Sequence, residues 1–160
     1  MLITLASSVA FSQQALPTGW RKPTPAEASG AWRRESPTKF LVVKGDFDGD
    51  GKADTAEILI NESAGRFALF VRLASTGKYQ TLGESYDVKE LDRFGIDLVK
   101  PGKYETACGK GYDDSFCAHG EPDFLELPHP GIDFIYTESA DSIFYWDPST
   151  KTFREIQMSD

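Results

Sequence analysis

Between residues 54 and 61, Ala56, Ile58 and Ile60 alternate with Thr55, Glu57 and Asn61. A side-chain period of two belongs to a half-buried β-strand, because successive residues point to opposite faces. Similar short runs recur along the chain. Residues 39–47 are rich in β-branched and aromatic side chains, and 66–74 and 78–82 form a hairpin pattern around Ser75-Thr76-Gly77. Residues 96–99, 124–127, 132–137, 142–146 and 152–157 supply further runs, the last two joined by the turn residues Asp147-Pro148-Ser149-Thr150-Lys151.

Two segments depart from this pattern. Thr24-Pro25-Ala26-Glu27 has the form of a helix start, with Thr24 as cap, Pro25 at the first position and Glu27 returning a bond. It predicts a short helix to about Arg34, ending before Pro37. Residues 88–94 predict one helical turn closed by Gly95. Eight or nine short strands with short connections make the fold mainly β. The expectation is an antiparallel sandwich or a curved, propeller-blade-like sheet, with a short N-terminal helix. A chain of 160 residues with 40% hydrophobic content buries enough surface for one domain without a metal or disulfide.

The most specific chemical signal is Asp46-Phe47-Asp48-Gly49-Asp50-Gly51-Lys52-Ala53-Asp54. Four acids within nine residues repel one another unless a cation offsets them. Calcium is a hard ion that takes six to eight oxygens at about 2.3–2.6 Å. Alternate Asp46, Asp48 and Asp50 aim three carboxylates inward, Gly51 permits a sharp turn, Lys52 offers its backbone carbonyl, and Asp54 completes the set. Glu57 falls where an EF-hand places its last ligand. A strand leaving Asp54, however, carries Glu57 roughly 10 Å beyond it, so Glu57 is expected to stay off the ion.

This loop, with Gly45 before it, resembles the strand–loop–strand calcium motif of FG-GAP and VCBS repeats. Those families carry several copies and this chain carries one, so the resemblance implies a calcium loop on β structure and not a whole propeller. Segments 101–112 and 144–147 resemble small secreted proteins of Gram-negative bacteria. Some periplasmic immunity proteins and lysozyme inhibitors likewise combine β architecture with such a loop.

Export is also suggested by residues 1–12. Leu2, Ile3, Leu5, Ala6, Val9 and Ala10 form an apolar run ending in small residues. It reads as the remnant of a signal peptide, too short to span a bilayer, before a single calcium-binding β domain at 13–160. The expected location is periplasmic or secreted. In that setting Cys108 and Cys117 read as one disulfide, worth roughly 2.7 kcal/mol by loop-closure entropy. A metal site made of both cysteines and His119 is the other reading of these residues.

With 17 basic and 25 acidic residues the net charge is −8, which disfavours nucleic acid and anionic membranes as partners. Ten acids and a single base, Lys110, lie between residues 105 and 150. A solvated surface explains them, and so does a face for a cationic partner. Within the tethered loop and beside it, Tyr112, Asp113, Asp114, Phe116, Glu121 and Asp123 form the candidate binding face.

No nucleophile elbow, zinc-protease helix motif or phosphate loop occurs in the sequence. The functional expectation is therefore a non-catalytic, exported calcium-binding module, such as an inhibitor or immunity protein. Its partner would be a cationic secreted toxin or cell-wall hydrolase. The alternative is a small periplasmic hydrolase using His119 and nearby carboxylates.

Overall fold

The computed structural model describes residues 15–112, 117 and 120–159; the apolar run read as a signal-peptide remnant, Asp113, Asp114, Phe116 and His119 lie outside them. Ten strands form: β1 (Val42–Gly45), β2 (Asp54–Asn61), β3 (Arg66–Arg72), β4 (Tyr79–Asp87), β5 (Phe94–Val99), β6 (Gly102–Glu105), β7 (Phe124–Leu127), β8 (Gly131–Tyr136), β9 (Ala140–Asp147) and β10 (Thr152–Ser159). They build an antiparallel sandwich. One sheet is the meander β1-β2-β3-β4, the other has the order β10-β9-β8-β5, and β6 pairs with β7 as a separate hairpin.

The apolar positions of the two sheets face one another. Ile58, Ile60, Phe67, Leu69 and Val71 of the first sheet pack with Phe94, Ile96, Ile132, Phe134 and Phe144 of the second in one cluster. The expected half-buried character of β2 does not hold. Leu59, Ala68 and Phe70 on the outer face of the first sheet are also buried, under Leu16 and Trp20 of the N-terminal segment. The outer face of the second sheet is covered by the hairpin, where Leu125 and Leu127 pack on Ile143, Ile156 and Met158. Both sheets are thus covered on two sides, which explains the unbroken run Ile58-Leu59-Ile60.

Helix is scarcer than the sequence suggests. The Thr24 N–H and hydroxyl donate to Glu27 Oε2 at 2.7 and 2.9 Å, as the capping motif predicts. Only one turn follows, and the next element is a 3-10 helix at Ala31–Glu35. Gly30 between them takes an extended conformation (φ −48°, ψ 136°), so the two turns never fuse into the expected helix. The second predicted turn forms as a 3-10 helix at Val88–Arg93, capped by the Asp87 side chain on the Lys89 N–H. Gly95 belongs to β5 rather than closing that turn. Strand β6 has no counterpart among the sequence-predicted strands. Its four residues cover one buried face only through their partner β7, so they carry little hydrophobic pattern of their own.

Candidate metal centre

The β1–β2 connection holds the acidic loop. Gly45 pairs with Asp54, so the loop is a closed hairpin tip. Two glycines bend it: Gly49 and Gly51 have φ of 75° and 83°, in the left-handed region that L side chains avoid. With the chain so bent, Asp46, Asp48 and Asp50 each place a carboxylate oxygen within 4.8 Å of the others. Two oxygens facing each other across a calcium ion at about 2.4 Å are about 4.8 Å apart, so this spread fits a single ion.

Backbone N–H groups orient the three carboxylates. The Gly51 N–H donates to Asp46 Oδ2 at 2.9 Å, the Asp50 N–H to Asp48 Oδ1 at 3.2 Å, and the Lys52 N–H to Asp50 Oδ1 at 2.8 Å. The Ser75 hydroxyl, from the β3–β4 turn, adds a bond to Asp48 Oδ2 at 3.3 Å. The other oxygen of Asp46, Oδ1, is buried and has no hydrogen-bond partner among the described residues. A buried, unpartnered carboxylate oxygen is costly unless a cation meets it. The donor set is all hard oxygen, which suits calcium or magnesium rather than a soft transition metal.

The five sequence-predicted ligands are placed differently. Asp46, Asp48 and Asp50 are brought together, with Lys52 beside them; its ammonium lies 3.5 Å from Asp50. Asp54 is not part of the three-carboxylate group. It is buried, and its two oxygens accept from the Phe47 N–H at 2.9 Å and the Ala74 N–H at 2.7 Å. Burial pushes its pKa up, the two N–H donors oppose that, and the Asp48 charge adds to the rise. In this geometry Asp54 ties the loop to β2 and to the β3–β4 turn. Glu57 is engaged elsewhere: it accepts from the Tyr79 hydroxyl at 2.8 Å and pairs with the Lys22 ammonium at 2.9 Å.

The loop also touches the second sheet, a contact the sequence could not show. The His129 imidazole lies so close to Gly49 that a Cβ there would be 2.4 Å from the ring. A Cβ on Gly45 would meet Leu98 and Phe47 at 3.0 Å and Pro130 at 3.3 Å. His129, in the turn between Pro128 and Pro130, is therefore a packing partner of the acidic loop.

At the other end of the second sheet, Cys108 and Cys117 are disulfide-bonded, with Cα atoms 5.3 Å apart. This is the pairing expected of an oxidising compartment. Among the described residues, no helix is long and apolar enough to cross a membrane. Of the candidate binding face, Tyr112 is 37% exposed and Glu121 and Asp123 flank the loop. The Asp123 carbonyl lies against Gly109 and accepts the Thr106 N–H at 3.0 Å, so the base of the tethered loop is fixed. Phe124, which the sequence places only in a strand, is 46% exposed and carries the Lys103 ammonium 4.4 Å above its ring.

One half-buried acid outside the loop is notable. Asp133 on β8 has its Oδ1 buried with no hydrogen-bond partner among the described residues, and it lines a cavity under the hairpin with Tyr104, Glu105 and Lys110. Burial, with Asp141 and Asp97 adding like charge, pushes its pKa up to about 7. The folded state therefore holds a proton that the unfolded chain releases near pH 4. Stability from this group is full below about pH 4 and is lost as pH rises towards 7. Asp133→Asn should flatten that part of the stability–pH profile and stabilise the protein at pH 8, by a few kcal/mol at most. Urea unfolding at pH 5 and pH 8 reads the difference; an equal effect at both pH values would contradict it.

No protein family, characterised protein or solved structure matches this chain.

Proposed function

We propose that this protein is an exported calcium-binding module that works by stoichiometric binding to a partner rather than by catalysis. One observation carries the calcium reading. Three carboxylates converge within one ion's span on a glycine-bent loop, and the buried Asp46 Oδ1 has no hydrogen-bond partner among the described residues. Asp46, Asp48 and Asp50 would hold the ion; the loop spacing adds the Lys52 carbonyl and Asp54, the latter directly or through water while its oxygens also accept the Phe47 and Ala74 N–H groups. The role of the ion is structural, since its ligands come from a hairpin tip packed against both sheets.

Export to the periplasm or the medium is supported by the disulfide and by the apolar leader. The partner face is assigned to the tethered loop, with Tyr112, Asp113, Asp114, Phe116, Glu121 and Asp123, and the partner to the class of cationic secreted toxins or cell-wall hydrolases. Acidic charge there would speed association with a basic protein.

Calorimetric titration tests the metal assignment. The parent should bind one calcium per chain, and the Asp48→Ala, Asp50→Ala variant should bind none. Unchanged affinity in that variant would overturn the assignment.

A further inference from the structure

A second feature of the sandwich is independent of the calcium loop. Between β4 of one sheet and β8, β9 and β10 of the other lies a pocket of about 260 Å³, open on one side. Its apolar wall is aromatic: Tyr86, Phe94, Phe134 and Tyr136. The rings contact one another, with Tyr86 to Phe94 centroids 4.5 Å apart and Phe94 to Tyr136 stacked at 4.4 Å. Its polar wall carries Glu90, Asp141 and Glu155, and among the described residues no lysine or arginine lines it. Among the described residues, none of these three carboxylates has an ion-pair partner.

Two of the acids are held in place. Glu155 accepts the Ser142 hydroxyl at 2.8 Å, and Asp141 accepts the Ser159 hydroxyl. Each keeps a second oxygen for another donor. The local field is negative: burial, with Glu155 and Glu84 adding to it, pushes the Tyr86 phenol up. The chemistry is already used at the edge of the site, where the Arg93 guanidinium lies 4.5 Å from the Tyr136 ring centroid. Three acids against that one base still leave the pocket acidic.

We propose that this pocket receives one cationic side chain, an arginine or lysine, of a partner protein. Aromatic faces attract a desolvating cation through their quadrupole, and ionised carboxylates supply charge-assisted hydrogen bonds to its N–H groups. The volume admits one extended side chain and is small for a larger organic ligand. The inference does not require the calcium site or the tethered loop, and it gives the acidic chain a specific point at which to read a basic partner.

The test is a titration of N-acetyl-arginine amide followed by amide chemical shifts, with N-acetyl-citrulline amide as the uncharged isostere. Shifts should centre on Tyr86, Tyr136 and Ser142, and citrulline should bind about tenfold more weakly. Asp141→Asn with Glu155→Gln keeps both serine acceptors while removing the charge. That variant should melt no lower than the parent, since it also relieves the charge on Asp133, yet lose about tenfold in arginine affinity. Equal binding of citrulline, shifts centred elsewhere, or undiminished affinity in the variant would overturn the proposal. Tighter binding of choline than of the arginine amide would overturn the side-chain assignment in favour of a free organic cation.

Discussion

Saturating calcium is expected to raise the melting temperature of this protein by about 5–10 °C. An ion that binds only the folded chain stabilises it by about 2.7 kcal/mol at a hundredfold excess over Kd. For a domain of this size, each kcal/mol corresponds to about 2–4 °C. The loop is well placed to transmit that gain. Phe47, inside the acidic run, is fully buried in the main core. Asp54 bonds the loop to the β3–β4 turn, and His129 and Pro130 press on it from the second sheet.

The opposite sign is expected without metal. Three carboxylates within 4.8 Å repel one another, so the apo protein carries a local electrostatic cost. Asp48→Asn with Asp50→Asn keeps the acceptors for the Asp50 and Lys52 N–H groups but removes two charges. In chelator that variant should melt at or above the parent, and calcium should no longer shift it. Differential scanning calorimetry with and without calcium measures both effects. A parent indifferent to millimolar calcium would contradict the structural role.

Replacing Arg33 by Ala should destabilise the protein by about 3–5 kcal/mol, enough to unfold a marginal domain at physiological temperature. Arg33 is 0% exposed, among the largest side chains buried in the molecule. Its guanidinium donates to the carbonyls of Lys39 at 2.9 Å, Phe94 at 2.5 Å and Leu91. It also lies 4.6 Å from the Trp32 ring centroid. Burial pushes its pKa down, and the Asp92 charge opposes that.

These bonds join the 3-10 helix at Ala31–Glu35 to the approach to β1, to the 3-10 helix at Val88–Arg93 and to the start of β5. The approach to β1 includes Lys39 and Phe40, two successive left-handed residues with φ of 56° and 53°. Non-glycine residues rarely hold that conformation without outside constraint. Alanine would take a charged donor from each of these three carbonyls and leave a cavity and a strained segment without its clamp. Arg33→Lys restores one charge but not the fork, so it should recover only part of the loss. Chemical denaturation of the two variants reads the difference. A cost under about 1 kcal/mol for Arg33→Ala would show the clamp to be dispensable.

How far each feature could be read beforehand follows from the range of the forces behind it. Alternation is a local property, so β2, β3 and β7 to β10 were legible within a residue or two. The acidic loop was legible for the same reason: Asp spacing and two glycines fix its shape within nine residues. The capping bonds of Thr24 and Glu27 were legible too, but not how soon the turn would end at Gly30.

The rest depends on residues far apart in sequence. Arg33 looks like any surface arginine until carbonyls from residues 39, 91 and 94 surround it. Glu57 occupied an EF-hand position in the sequence, and only the pairing of β2 with its neighbours places it beside Tyr79 and Lys22. The aromatic pocket draws on β4, β5, β8, β9 and β10, and no one of these strands carries its pattern. What the sequence by itself determined was the strand content and the bent acidic loop, because periodicity and turn chemistry act between near neighbours. The tertiary structure alone decided which charges are buried, which strand faces are covered and where a cavity remains, because burial is a property of the whole packed chain.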